Sequence, residues 1–155
     1  MSRELDMEAA LLKGYHAFEE TFAGYTVHVF YETAEPWRRD LAWKDTSSKD
    51  RYRELSLDEV SLEYLYSESL PPFSTDIASA WKLVGWAETR GVLVDIENRA
   101  PDGYEVSTFE YIAHTGRRLL LASISVSSLD EIPEAICKAL IETHRIGHLQ
   151  YMVGK

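Results

Sequence analysis

The side chains best suited to chemistry in this chain are bunched between Pro36 and Arg53. Arg38, Arg39, Lys44, Lys49, Arg51 and Arg53 stand there against Asp40, Asp45 and Asp50, a net of +3 inside a chain whose formal charge is −10. The rest of the sequence therefore carries −13. The same segment holds Trp37, Trp43 and Tyr52. Aromatic faces stack on nucleobases, and guanidinium forks grip phosphate in bidentate fashion. Trp37, Arg38, Arg39, Trp43, Lys44, Arg51, Tyr52 and Arg53 are thus the candidate ligand-binding set, for a small anion such as a nucleotide. Two other readings stay open: a partner surface, or a surface loop whose tryptophans patch the core while its charges are solvated.

Elsewhere the chemistry is sparse. His144 and His148 have a spacing that can put two imidazoles on one helical face, but Gly147 interrupts it and no glutamate follows His144. Cys137, the single cysteine, lies in an apolar stripe with no neighbouring base to activate a thiolate. There is no Gly-rich phosphate loop and no G-x-S-x-G elbow. No catalytic residue, metal ligand or cofactor site is expected. Ser74-Thr75-Asp76, a helix start, is the next place to look for a ligand, though capping accounts for the same residues.

The elements that must position these groups follow from periodicity. Leu5, Leu12, Tyr15, Phe18 and Phe22 suggest a first helix over 4–23 that stops at Gly24, and Tyr25–Tyr31 alternates as a strand. From about 32 to 73 the pattern is irregular, with short extended pieces around Arg51–Leu55 and Leu62–Tyr66. Ser74-Thr75-Asp76 opens a helix with Ile77, Trp81 and Val84 on one face, ending near Gly91. Strands follow at Val92–Ile96, Tyr104–Ala113 and Leu119–Val126, joined by short turns that imply antiparallel pairing. Ser128 and Glu131 form a capping box for a last helix lined by Ile132, Ala135, Ile136, Ala139, Leu140 and Thr143. The expected fold is α+β, an antiparallel sheet covered by helices on both faces, in the order α-β-(irregular)-α-β-β-β-α.

At 155 residues the chain fits a single domain, 1–155, which buries roughly 68–70% of its unfolded surface. Its acidity opposes broad binding to DNA, RNA or anionic membranes. The N-terminus lacks signal-peptide character, and no apolar run approaches a membrane span. A soluble cytoplasmic protein is expected.

Two segments carry a family resemblance. Pro72-Phe73-Ser74-Thr75-Asp76-Ile77-Ala78-Ser79-Ala80-Trp81-Lys82-Leu83-Val84 resembles the "YSTDIAAAWxVV" entry to the central helix of the phage ABA-sandwich domain. Ile132-Pro133-Glu134-Ala135-Ile136-Cys137-Lys138-Ala139-Leu140 is similar to its closing "xPEAICRAAL" helix. Phe73 replaces the usual Tyr and Lys138 the usual Arg. The likeness covers residues 60–146 closely and 1–59 by architecture alone. It implies a phage or prophage origin, an α/β/α sandwich and a bacterial host cytoplasm, and it brings no catalytic motif.

Together these readings lead to a non-enzymatic protein that sequesters an anionic nucleotide signal, a sponge against host defence. The alternatives are an interaction module that inhibits a host enzyme or defence protein, and a nucleotide-processing enzyme without a local motif. A homo-oligomer is expected, with Trp37, Trp43, Tyr64 or Tyr66 of the irregular stretch at its interface.

Overall fold

A computed structural model describes residues 2–37, 48–112 and 114–147. These form three helices, α1 (Ser2–Lys13), α2 (Ile77–Thr89) and α3 (Ile132–Arg145), and six strands. The strands are β1 (His16–Phe22), β2 (Tyr25–Tyr31), β3 (Tyr52–Leu55), β4 (Val92–Asn98), β5 (Tyr104–Ile112) and β6 (Arg117–Val126). They make two antiparallel three-stranded sheets, ordered β2-β1-β3 and β4-β5-β6. The class is α+β.

The first helix is shorter than its spacing suggests, and the element order gains a strand there. Gly14 takes φ 110°, a left-handed conformation that ends α1. Tyr15 N–H closes the last turn on Ala10 O at 2.9 Å. From His16 the chain pairs residue for residue with β2, from His16↔Tyr31 to Phe22↔Tyr25. The joining turn is Ala23-Gly24, with φ 53° and 83°. Two successive positive values are what a tight twisted hairpin needs. Gly24 therefore marks a hairpin and not a helix stop.

The face of α2 also differs from expectation. Ser79, Ala80, Leu83 and Ala87 are its buried residues, whereas Ile77 and Trp81 are 50% and 56% exposed. Ala80, Leu83 and Ala87, at i, i+3 and i+7, form a second helical stripe beside Ile77, Trp81 and Val84, at i, i+4 and i+7. Their small side chains let α2 approach α3 and β4 closely, so close packing selects the less bulky stripe. In α3 the expected stripe is the buried one: Ile132, Ala135, Ile136, Ala139, Leu140 and Thr143 all face inward. Both α2 and α3 pack on β4–β6, and α1 packs on α3.

Thr143 pins α3 to the sheet. Its hydroxyl lies 2.6 Å from that of Thr108 on β5 and 2.7 Å from Ala139 O, all buried. Val92, Val106 and Ala122 share this inner side. Register puts the rows Leu93–Phe109–Leu120 and Asp95–Ser107–Ser123 on the opposite side, away from the helices.

Candidate ligand site on the first sheet

Sheet β2-β1-β3 is used on both faces. One face turns Ala17, Phe30 and Leu55 into the main core. The other carries Phe18, Val29 and Tyr52, and Trp37 comes over it from the chain beyond β2. Phe18, 1% exposed, is the centre of an aromatic group. Its ring lies 6.3 Å from Trp37, 6.0 Å from Tyr52 and 6.0 Å from Tyr31. Trp37 and Tyr52 are 6.1 Å apart, and Tyr52 is 6.1 Å from Tyr31. Phe18 meets Trp37 and Tyr52 edge-on, at 87° and 82°, whereas Trp37 and Tyr52 are tilted at 49° to each other. Aromatic quadrupoles favour such angles. Trp37, Tyr52 and Tyr31 are half-buried. Lys49 Nζ stands 5.4 Å from the Trp37 ring centre, within cation–π range. Glu20 and Glu54 bring two carboxylates to this side, Glu20 accepting from Tyr31 OH and Glu54 lying 3.0 Å from His16 Nδ1.

Of the eight sequence-predicted site residues, Trp37 and Tyr52 come together in this group. Arg53 does not join them. It follows Tyr52 in a strand, so the pleat sends it to the other face. There its guanidinium bonds Glu59 at 3.1 Å and Glu19 at 3.4 Å. The hydrogen bonds to Glu19 and Glu59 hold the Arg53 pKa above its ordinary value. Glu59 is lowered, first by the Ser56 amide and then by Arg53. Arg51 is half-buried at the end of the turn that precedes β3. Arg38, Arg39, Trp43 and Lys44 lie outside the described residues.

Sequence reasoning passed over His28. It is 5% exposed, and its Nδ1 accepts the Ser61 amide at 2.9 Å. An accepting Nδ1 puts the neutral ring's proton on Nε2, which lies 3.7 Å from Glu19. The backbone of His28 also bonds Tyr64 O and Tyr66 N, so one histidine fastens the 61–66 segment along β2. That segment makes a parallel bridge, His28↔Leu65, where an extended piece is expected. The sequence signal is the alternation of Thr26, His28 and Phe30, which puts His28 on the inward face.

The second candidate, Ser74-Thr75-Asp76, is occupied by the fold. The Ser74 amide donates to Asp6 Oδ1 at 2.7 Å, and Asp76 accepts from the Ser79 amide and hydroxyl at 3.0 and 2.8 Å. Those bonds hold the Asp76 carboxyl below its ordinary pKa. Burial, helped by the charges of Asp6 and Glu134, pushes the Cys137 thiol up to about 12. That is the state of a core residue and not of a nucleophile. Among the described residues no three His, Cys, Asp or Glu side chains gather as a metal site. His148 lies outside those residues. No helix among them is long and apolar enough to cross a membrane.

The fold and this face describe a small α+β protein with a half-exposed aromatic group beside a cationic segment. Comparison with known proteins adds no family to that description: no protein-family model, no curated protein and no solved structure matches the chain.

Proposed function

We propose that this chain is a non-enzymatic binding protein that sequesters a small anionic ligand, a nucleotide for preference, on the outer face of sheet β2-β1-β3. The observation that carries the reading is the half-buried Trp37–Tyr52 pair with Lys49 5.4 Å from the Trp37 ring, at the mouth of a segment that nets +3. A base would stack against the aromatic rims, and phosphates would meet Lys49 and the neighbouring cations of 36–53. The resemblance to the phage ABA-sandwich domain extends this to a phage-encoded sponge for a host nucleotide signal, acting in the host cytoplasm. A thermal-shift panel of nucleotides tests it. A ligand at one hundred times its Kd adds about 2.7 kcal/mol of stability, and it must be recovered chemically unchanged. Lys49→Ala together with Arg38→Ala and Arg39→Ala should weaken binding more than tenfold, because each charge-assisted bond contributes about 1.5–3 kcal/mol. Arg53→Ala, on the opposite face, should leave the affinity within about twofold, since exposed ion pairs contribute little. A panel that yields no shift, with no nucleotide released on denaturation, overturns the proposal.

A second reading, an interaction module that inhibits a host protein, draws on a different observation. Ile77 and Trp81 stand half-exposed on α2, where a partner would cover them. Cross-linking of Trp81→Cys to a host protein, with no nucleotide response, would favour it.

A further inference from the structure

The sheet β4-β5-β6 has one covered face and one open face. The elements packed on it, α2 and α3, share the inner side with Val92, Val106, Thr108 and Ala122. On the outer side the register builds four rows: Glu97–Glu105–Ser125, Asp95–Ser107–Ser123, Leu93–Phe109–Leu120, and Tyr111–Arg118. The third row is apolar across all three strands, and Leu120 within it and Tyr111 beside it are 56% and 54% exposed. A sheet with one face packed on a core normally shows polar residues on its other face, so this row breaks the usual alternation. Arg118 lies over it, 5.4 Å from the Phe109 ring.

The face is also polar from end to end. Arg118 stands at the hairpin end of this face, and Asp95, Glu97 and Glu105 lie towards the other, where Arg99 bonds the two glutamates at 3.2 and 2.6 Å. Such a surface is complementary to itself. A twofold axis crossing the strands at the apolar row would lay Leu93, Phe109 and Leu120 on their own symmetry mates. It would bring each Tyr111–Arg118 row over the other copy's Ser107 and Ser123, towards its acidic end. An axis along the strands would instead set basic end on basic end and acidic end on acidic end. Charge therefore selects the crosswise pairing.

We infer that the outer face of β4-β5-β6 is a homodimer interface, two sheets packed face to face and end for end, with the Leu93–Phe109–Leu120 row at its centre and Arg118 over the second copy's Ser123. The face measures about 14 Å by 27 Å from strand spacing and rise. That is roughly 380 Å² a side, below the size of stable specific interfaces, so association is weak and reversible.

Sedimentation velocity of the full chain, without nucleotide, over about 5–300 μM covers micromolar and weaker self-association. The expected result is a monomer that shifts to dimer as concentration rises. Ser123→Arg sets a second cation against Arg118, and Arg118→Asp sets an anion towards the acidic end. Each should weaken dimerisation about tenfold or more. Combining them in one chain puts Asp opposite Arg and should restore it, which no folding defect could do. Leu120→Lys should abolish it while circular dichroism and the melting temperature stay near wild type. A wild type monomeric throughout, or two single variants that dimerise as the parent does, overturns the inference. The ligand reading survives either outcome, because its residues sit on the other sheet.

Discussion

Asp6 is the residue whose loss should be felt most for its size. It is 0% exposed on α1, yet it holds two partners, one of them far away in sequence. Arg3 Nη1 donates to Oδ2 at 2.8 Å, and the buried Ser74 amide donates to Oδ1 at 2.7 Å. Arg3 reaches on to Ser67 O at 2.8 Å and Leu70 O at 2.9 Å, so the pair ties α1 to the 67–74 segment. Breaking a buried ion pair by removing one partner costs about 3–5 kcal/mol. Arg3 keeps its two carbonyls and is 27% exposed. That puts Asp6→Ala at the lower end, about 3 kcal/mol. For a chain of this length each kcal/mol moves Tm by about 2–4 °C, so calorimetry should show a fall of about 6–12 °C. Asp6→Asn retains an acceptor for Ser74 and should lose only about 1–2 kcal/mol. Arg3→Ala strands the buried carboxylate and should cost nearly as much as Asp6→Ala. The double variant should cost less than the sum of the singles by about 1 kcal/mol or more, the sign of direct coupling. An Asp6→Ala protein within about 0.5 kcal/mol of wild type, or strictly additive singles, refutes the reasoning.

Two further outcomes follow from the core and the caps. Ile136 is 0% exposed at the centre of the α3 stripe, and Ile136→Ala should cost about 2–5 kcal/mol in denaturant titrations. Asp76, Glu59 and Glu131 are all lowered in the folded state by the amides and hydroxyls they accept from. Their contribution is complete above the unfolded carboxylate range and lost as pH falls through the lowered folded values. Tm should therefore drop on acidification below about pH 4, and Asp76→Asn should flatten that drop; an unchanged acid slope in the variant would count against Asp76 as a contributor.

The second half of the fold was legible because its signals are local and agree. The Ser128–Glu131 capping box, the α3 stripe and the turns around Pro101-Asp102-Gly103 and Thr115-Gly116 each point the same way, and each is found. The first half was ambiguous for physical reasons. Phe18 and Phe22 continue the helical spacing of Leu5 and Leu12 beyond Gly14, and only pairing with β2 decides that they are strand. On α2 two stripes share one period, and periodicity carries no information about which is small enough to approach α3. The ties that fix the 61–74 segment, Asp6 to Ser74 and His28 to Ser61, join residues 68 and 33 positions apart, beyond the reach of any local pattern.

The candidate site shows how a cluster in sequence becomes something else in space. Arg51, Tyr52 and Arg53 are consecutive, so composition counts them as one patch of two cations and a ring. The pleat divides them: Tyr52 turns to Phe18 and Trp37, while Arg53 turns to Glu19 and Glu59, whose carboxylates offset its charge. The positive field over the aromatic face must then come from the chain before β3, where Lys49 already stands over Trp37. Glu20, bonded to Tyr31, and Glu54, paired with His16, oppose it on the same face. An anion held there needs more than one cation to overcome those carboxylates and its own desolvation. Arg38, Arg39 and Lys44, close to Trp37 in sequence, are the side chains whose charge would decide the balance, which is why the binding assay pairs Lys49 with Arg38 and Arg39 and uses Arg53 as its control.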